Sequence, residues 1–431
     1  MVTTPLRPSG RTRGPARAGS ARKRTPSRVA RWWERCWSFL EGRDSAGTSF
    51  YLILGCAVAL TVIGLVMVLS SSSVENIGET SGSYDLFIRQ GIFGVLGLGM
   101  MLVLSRLGPE RLRRLGWPAI VIAVILLALV LTPLGHEVNG NRNWLKIGGF
   151  TAQPSEAAKL ALALWAGVVL ERKAALIGQL KHAVVPVLFP VGAVLLGLIM
   201  LGRDLGTAMV IMLIMAAVLF LAGTRLRYFL VAGGIGAVAA VVLALTSANR
   251  AVRIQAWLGE CGFPTDPCYQ PQHGMFALAS GGWWGVGLGQ SRQKWSYIPE
   301  AENDFIFTIL GEELGLVGTL LVLGLFAGLA VGMFRVARRS TSLFVKITTG
   351  GILAWIIGQA FINIAMVTGL LPVIGVPLPF ISYGGSALTL VLSGVGIVLS
   401  FARRQRLESR AERTEPHPTP SRPTRAAGGT A

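Results

Sequence analysis

Ten stretches of this chain are apolar over nearly the length a helix needs to cross a lipid bilayer, and that leaves room for few architectures. A crossing takes roughly 18–20 apolar residues. Runs near or above that length recur at about 50–71, 86–104, 117–134, 155–170, 183–201, 205–222, 229–247, 305–333, 347–368 and 386–402, the fifth and sixth parted only by the polar break GRDLG. Only 14% of residues are charged, against roughly 25% in soluble domains, and the mean hydropathy is +0.58. A soluble domain is excluded. The expected fold is an all-α integral membrane protein of about ten transmembrane helices, with a large extracytoplasmic loop between spans 7 and 8. Residues 1–49 read as a disordered basic tail, 50–402 as the polytopic membrane domain and 403–431 as a second disordered tail.

Charge then sets orientation. The first tail, RPSGRTRGPARAGSARKRTPSR, is rich in Arg, Pro and Ser and cannot bury enough surface to fold. It could bind nucleic acid or anionic lipid, but its simplest role is to hold the N-terminus in the cytoplasm. With that end inside, all but nine of the 40 Lys and Arg residues fall in cytoplasmic segments, as the positive-inside rule requires. The net charge of +19 is therefore mainly a topology signal. The nine exceptions, Arg89, Arg142, Lys146, Lys159, Arg203, Arg250, Arg253, Arg292 and Lys294, lie outside or near the outer membrane face. Both chain termini are expected in the cytoplasm.

Cys261 and Cys268 fall in the long outer loop, where a disulfide is permitted. Joining them would close a short loop around GFPTDP. No HExxH or paired CxxC pattern marks a metal site.

Three outer segments are long, polar and rich in Gly and Pro: 136–159, about 248–304, and TGLLPVIGVPLPFISYGGSA at 368–387. The prolines of the third prevent a continuous helix. Its apolar content keeps it near membrane depth, where irregular backbone survives only when buried in protein or lining a polar cavity. A cavity at the outer face follows.

The scarce acids gather at that face. YIPEAENDFIFTILGEELG holds Glu300, Glu302, Asp304, Glu312 and Glu313. Asp304 alone reads as an N-cap; ionisable groups deeper in a span mark a polar path or a partner. At 100° per helical residue Asp304 and Glu312 fall about 80° apart and can share one cavity. Glu313 stands opposite, as a packing or ion-pair partner. In QPSEAAK, Glu156 and Lys159 lie at i and i+3, which reads either as an intrahelical ion pair or as a lysine that meets a phosphate. In GRDLGT, Asp204 sits between glycines that let backbone approach a ligand. Arg253 and Lys294 add positive charge in the large loop. Cations above a cavity with acids inside it suit a substrate bearing phosphates and sugar hydroxyls.

At these segments the chain resembles the SEDS family (shape, elongation, division and sporulation). YQPQHGMFALASGGWWGVGLGQSRQKWSYIPEAENDFIFTILGEELGLVG and QAFINIAMVTGLLPVIGVPLPFISYGGSA carry the resemblance, with NGNRNWLKIGGFTAQPSEAAKL and RDLGT, over about residues 50–402. GLVMVLSSSSV after a basic tail is closer to the division-type FtsW branch than to the RodA branch. The chain departs from the family pattern at Glu302-Asn303, where many members carry His-Thr, and at Gly202-Arg203. The resemblance implies a peptidoglycan glycosyltransferase that polymerises lipid II on the outer face of the bacterial cytoplasmic membrane, at the division septum. Asp304 stands where the family has its essential aspartate.

On that reading Asp304 is the general base, taking the proton of the acceptor 4-hydroxyl in an inverting attack on a lipid-pyrophosphate donor. Glu156, Lys159, Asp204, Arg253, Lys294, Glu300, Glu312 and Ser382 are the expected substrate contacts. A divalent cation, Mg2+ or Mn2+, is the expected cofactor. Expected partners are lipid II, the nascent glycan on undecaprenyl pyrophosphate, a class B penicillin-binding protein and other divisome membrane proteins, with no nucleic acid. A flippase of lipid-linked precursor, or a scaffold that only recruits a transpeptidase, are the rival readings.

Overall fold

The computed structural model describes residues 45–75, 84–138, 140–147, 150–174, 185, 187–231, 233–234, 236, 248–259, 268–294, 298 and 301–414. The chain divides into two units, Met1–Ser45 and Ala46–Ala431, and the fold described is that of the second. Most of the expected seventh span, 229–247, and the tail before residue 45 lie outside the described residues.

The elements run α1 (Ser45–Glu75), α2 (Asp85–Arg106), α3 (Pro109–Val130), β1 (Gly135–Val138), β2 (Asn141–Ile147), β3 (Phe150–Ala152), α4 (Pro154–Arg172), α5 (Ala193–Leu201), α6 (Leu205–Leu221), α7 (Ala248–Trp257), α8 (Tyr269–Ser280), α9 (Ile306–Arg339), α10 (Leu343–Val367) and α11 (Gly385–Thr414). Among the described residues six helices, within α1, α2, α3, α9, α10 and α11, are long and apolar enough to cross a membrane. Val187–Leu201 and α6 are apolar but shorter. The chain is thus a mostly helical, multi-pass membrane protein.

Helices overrun the apolar runs that announce them. α3 starts at Pro109, well before the apolar run at 117, because Pro109 suits a first helical position and Glu110 pairs with Arg113 at 3.0 Å. α11 continues to Thr414, past residue 402, with Arg404 and Glu408 paired at 2.7 Å along its polar end. That end lies within the stretch expected as a tail.

The all-α expectation needs a correction. The first outer segment folds into a three-stranded antiparallel sheet in the order β1-β2-β3, with Gly135 opposite Leu145 and Leu145 opposite Ala152. Asn141–Ile147 is too short and too polar to stand out among apolar spans, yet neighbouring strands satisfy its backbone. Arg142 N–H also donates to Gly202 O at 3.0 Å, which ties the sheet to the turn between α5 and α6.

α4 is the core. It is buried on every side from Pro154 to Leu170 apart from Ala157 and Leu160, which are half-buried, and it packs against α3, α6, α10 and α11. Small residues permit this closeness. A Cβ on Gly167 would stand 2.2 Å from Thr348 Oγ1 of α10.

Two irregular stretches shape the end of the bundle expected to face outward. α9 is broken at Gly315, whose φ of 66° and ψ of −165° lie outside helical space. The freed groups find partners in the loop after α8: Val286 and Gly287 N–H donate to Glu312 O and Glu313 O at 2.9 and 3.1 Å, and Leu316 and Val317 N–H donate to Gly282 O and Trp283 O at 2.9 and 3.1 Å. The second stretch, between α10 and α11, is irregular yet holds buried Val376, Leu378, Phe380 and Ile381. Side-chain amides satisfy its backbone. Gln359 donates to Pro377 O at 2.9 Å, Asn363 to Val376 O at 2.7 Å and Gln90 to Ser382 O at 3.2 Å.

Candidate functional site

Asp304 lies in the turn 301–305 that leads into α9. It is not the helix cap: Phe305 occupies that position and no side chain bonds there. Asp304 is half-buried, and a Cβ placed on Gly375 would stand 3.2 Å from its Oδ2. Gly375 has φ +77°, which favours glycine, and its bare Cα leaves the carboxylate its room.

The segment 369–376 gathers the neighbours of Asp304. On α7, the exposed Arg253 donates to Val373 O at 3.3 Å, and Trp257 Nε1 donates to Gly369 O at 2.9 Å. From α6, a Cβ on Gly206 would press Val376 Cγ2 at 2.7 Å and Gly375 O at 3.3 Å. Asp304 and the start of α6 therefore meet at Gly375, and Arg253 reaches the same segment two residues earlier, at Val373.

Asp204 is N-cap of α6 and is buried. Its carboxylate accepts from Thr207 N–H at 2.9 Å, Thr207 Oγ1 at 2.8 Å, Asn143 Nδ2 at 2.9 Å and Gln153 Nε2 at 3.5 Å. It joins β2, the entry to α4 and α6. Asp204→Ala is expected to cost about 1–2 kcal/mol as a lost cap, read as a lower unfolding midpoint in detergent. Asp204→Asn, which keeps one acceptor, is expected to lose less.

The other candidates turn inward. Glu156 and Lys159 are each 1% exposed and form the intrahelical pair at 2.6 Å. Lys159 also donates to Gln359 Oε1 at 2.7 Å and lies 5.5 Å from the centre of the Trp355 ring. Such a lysine meets no lipid phosphate in this arrangement. Lys294, 6% exposed, donates to Gly289 O at 2.9 Å, Ser70 O at 3.1 Å and Glu313 Oε1 at 3.2 Å. Glu312, 1% exposed, accepts from Ser291 Oγ, from Arg292 N–H at 3.0 Å and from Gln293 N–H at 3.4 Å. Both glutamates hold the loop 289–294 rather than a cavity. Ser382 is buried and donates to Asn303 O at 2.6 Å.

Glu300 and Cys261 lie outside the described residues; Cys268, just before α8, is disulfide-bonded. Burial pushes the Tyr383 phenol up, with Arg89 opposing and Asp85 and Glu302 adding to the rise, so it stays protonated beside the turn. Among the described residues no group of three or more His, Cys, Asp or Glu side chains is placed to hold a metal. A small recess, with space for little more than a water molecule, borders Arg142, Asn143, Ser155 and Asp204. A second of the same size borders Gln359, Leu378, Ser382, Tyr383 and Leu388.

Three residues that carry this end of the bundle escaped the sequence reading: Gln90, Gln359 and Asn363, at 0%, 2% and 0% exposure. Their signal was visible, since an amide inside an apolar span needs a polar partner there.

The profile of the FtsW/RodA/SpoVE family, described as cell cycle protein, matches residues 50–407. A Mycobacterium tuberculosis protein named probable peptidoglycan glycosyltransferase FtsW is 40% identical over 400 residues, covering 92% of this chain and 74% of the relative. Stage V sporulation protein E of Bacillus subtilis is 38% identical, covering 82% of this chain and 97% of the relative. Among solved structures, a peptidoglycan synthase complex described as coordinating polymerization and crosslinking contains a chain 29% identical, with a TM-score of 0.66 over 82% of this chain and 97% of that one. Rod shape determining protein RodA of Thermus thermophilus is 27% identical, with a TM-score of 0.60 over 82% and 96% of the two chains.

Proposed function

The chain belongs to the FtsW/RodA/SpoVE family of cell cycle proteins, and from that premise we propose that it is a peptidoglycan glycosyltransferase that polymerises lipid II into glycan strands. One observation carries the choice of residue. Of the described candidate acids, Glu156, Asp204, Glu302, Glu312 and Glu313 are buried, whereas Asp304 is a half-buried residue whose carboxylate lies beside Gly375. The least buried acid of the set is the one best placed to meet an incoming hydroxyl.

In this reaction the acceptor 4-hydroxyl oxygen bonds to the donor's anomeric carbon from the face opposite the pyrophosphate. The bond from that carbon to the pyrophosphate oxygen breaks, the configuration inverts, and the hydroxyl proton passes to Asp304. Proton removal by a positioned base is worth about 10²–10⁴-fold. Arg253, exposed and bonded to Val373 O in the segment that passes beside Asp304, is the cation assigned to the departing negative charge, an electrostatic role. Lys159 and Lys294, shut into ion pairs, have structural roles instead. The described residues do not fit a preformed metal cluster. A divalent cation, Mg2+ or Mn2+, would therefore have to be supplied with the substrate's phosphates, whose charge it would offset.

The enzyme works in the bacterial cytoplasmic membrane at the septum, with both termini in the cytoplasm. It acts beside a class B penicillin-binding protein that crosslinks the strands, and other divisome membrane proteins. The solved relative in a synthase complex supports such a partnership. The test is polymerisation of lipid II by the purified protein in detergent, with and without a transpeptidase partner and divalent cation. Polymer is the expected product. Its absence under every condition would favour a scaffold or a flippase, for which transport has no meaning in detergent.

A further inference from the structure

Asp304 sits on a turn whose carbonyls are bonded one after another. Glu302 O accepts from Tyr383 N–H at 2.9 Å, Asn303 O from Ser382 Oγ at 2.6 Å and Asp304 O from Asn363 Nδ2 at 2.8 Å. A peptide unit is planar, so fixing the carbonyls of residues 303 and 304 fixes the two planes on either side of the Asp304 Cα. Its backbone dihedrals are then set, and only side-chain rotation is left to the carboxylate.

The two side chains come from different places and are both buried. Asn363, on α10, is 0% exposed, and its Nδ2 also donates to Val376 O at 2.7 Å. Among the described residues its Oδ1 accepts no bond, so its engagement there rests on its donor side. Because Val376 follows Gly375, this one amide fixes the base-bearing turn against the glycine that flanks the carboxylate. Ser382, in the segment before α11, is 6% exposed, and its hydroxyl also accepts from Leu378 N–H at 2.7 Å. Gln90 of α2 holds Ser382 in turn: it donates to Ser382 O at 3.2 Å and accepts from Gly384 N–H at 3.1 Å.

We propose that Ser382 and Asn363 are positioning residues for glycosyl transfer, clamping the Asp304 turn so that the carboxylate meets the acceptor hydroxyl at reacting distance. This rests on the assignment of Asp304 as base. It gives Ser382 a role through the backbone rather than through contact with sugar.

The experiment compares Ser382→Ala, Ser382→Thr and Asp304→Asn in steady-state lipid II polymerisation by the purified full chain, each checked for its unfolding midpoint. Misplacing a catalytic group by about 1 Å can cost about 100-fold. Ser382→Ala is therefore expected to lose about 10- to 100-fold in kcat with KM within about twofold, a loss of interactions felt only in the transition state. Ser382→Thr, which keeps the hydroxyl, is expected to restore most of it. Should Ser382→Ala fail to fold, Asn363→Asp carries the same readout, since it replaces the donor by an acceptor facing two carbonyls. A folded variant with kcat within about twofold of the parent, a loss seen in KM only, or a loss that Ser382→Thr leaves in place would overturn the positioning role. If Asp304→Asn is inactive while Ser382→Ala is unimpaired, the clamp falls and the base stands; an active Asp304→Asn removes both.

Discussion

Purified Asp304→Asn protein is expected to make no detectable glycan polymer from lipid II, while keeping its fold. Asparagine matches aspartate in size and can still stand beside Gly375, but it cannot accept the proton of an attacking hydroxyl. The loss should approach the full contribution of a general base, about 10²–10⁴-fold. The fold should survive because the turn is held through its backbone carbonyls, which the substitution leaves alone. An unchanged unfolding midpoint with no polymer would tie the defect to chemistry. Polymer from a folded Asp304→Asn protein, at a rate near the parent's, would refute the assignment.

The second large effect is structural. Gly315→Ala is expected to lower the unfolding midpoint by more than about 5 °C, because a loss of a few kcal/mol moves domains of moderate size by that much. Its φ of 66° with ψ of −165° is a combination nearly confined to glycine, and strain there costs about 1–3 kcal/mol. A Cβ would also stand 2.4 Å from Gly285 N and 2.6 Å from Trp283 O. Both are backbone atoms, and they belong to the loop whose four hydrogen bonds replace the missing helical ones. Relief requires parting the loop from α9. Gly324→Ala serves as the control on the same helix, since a Cβ there meets nothing within 4 Å. It should be neutral or mildly stabilising through helix propensity. Equal midpoints for the two variants would show that the break at Gly315 is not a required geometry.

What could be read from the sequence divides along physical lines. Spans such as 50–71, 205–222 and 347–368 were legible because hydrocarbon imposes length and apolarity together: α1 contains the first, and α6 and α10 cover all but the last residue of the other two. The pairing of Glu156 with Lys159 was legible as one alternative, since i and i+3 are neighbours on any helix. The angular argument joining Asp304 to Glu312 did not transfer. Asp304 lies before the helix begins, and Glu312 and Glu313 are drawn to the loop that fills the break just beyond them. Periodicity describes a continuous helix and is blind to one completed by a distant segment. The short sheet at 135–152 was missed for a related reason: its strands are defined by one another, not by their composition. Lys294 was drawn outward by its sign alone, yet besides Gly289 its partners include Ser70 of α1, distant in sequence, and Glu313 of α9.

The burial of α4 has a consequence for biogenesis. Its 19 residues include a carboxylate and an ammonium near one end, and α10, which covers it, is translated long after it. A nascent segment of this kind partitions poorly into lipid when alone. Lys159 and Glu156 soften that entry by neutralising one another within a single turn before any tertiary neighbour exists. α4 is therefore expected to settle in the bilayer only once the later helices that cover it have been delivered. The order in which segments leave the translocon is thus a part of how this protein acquires its centre.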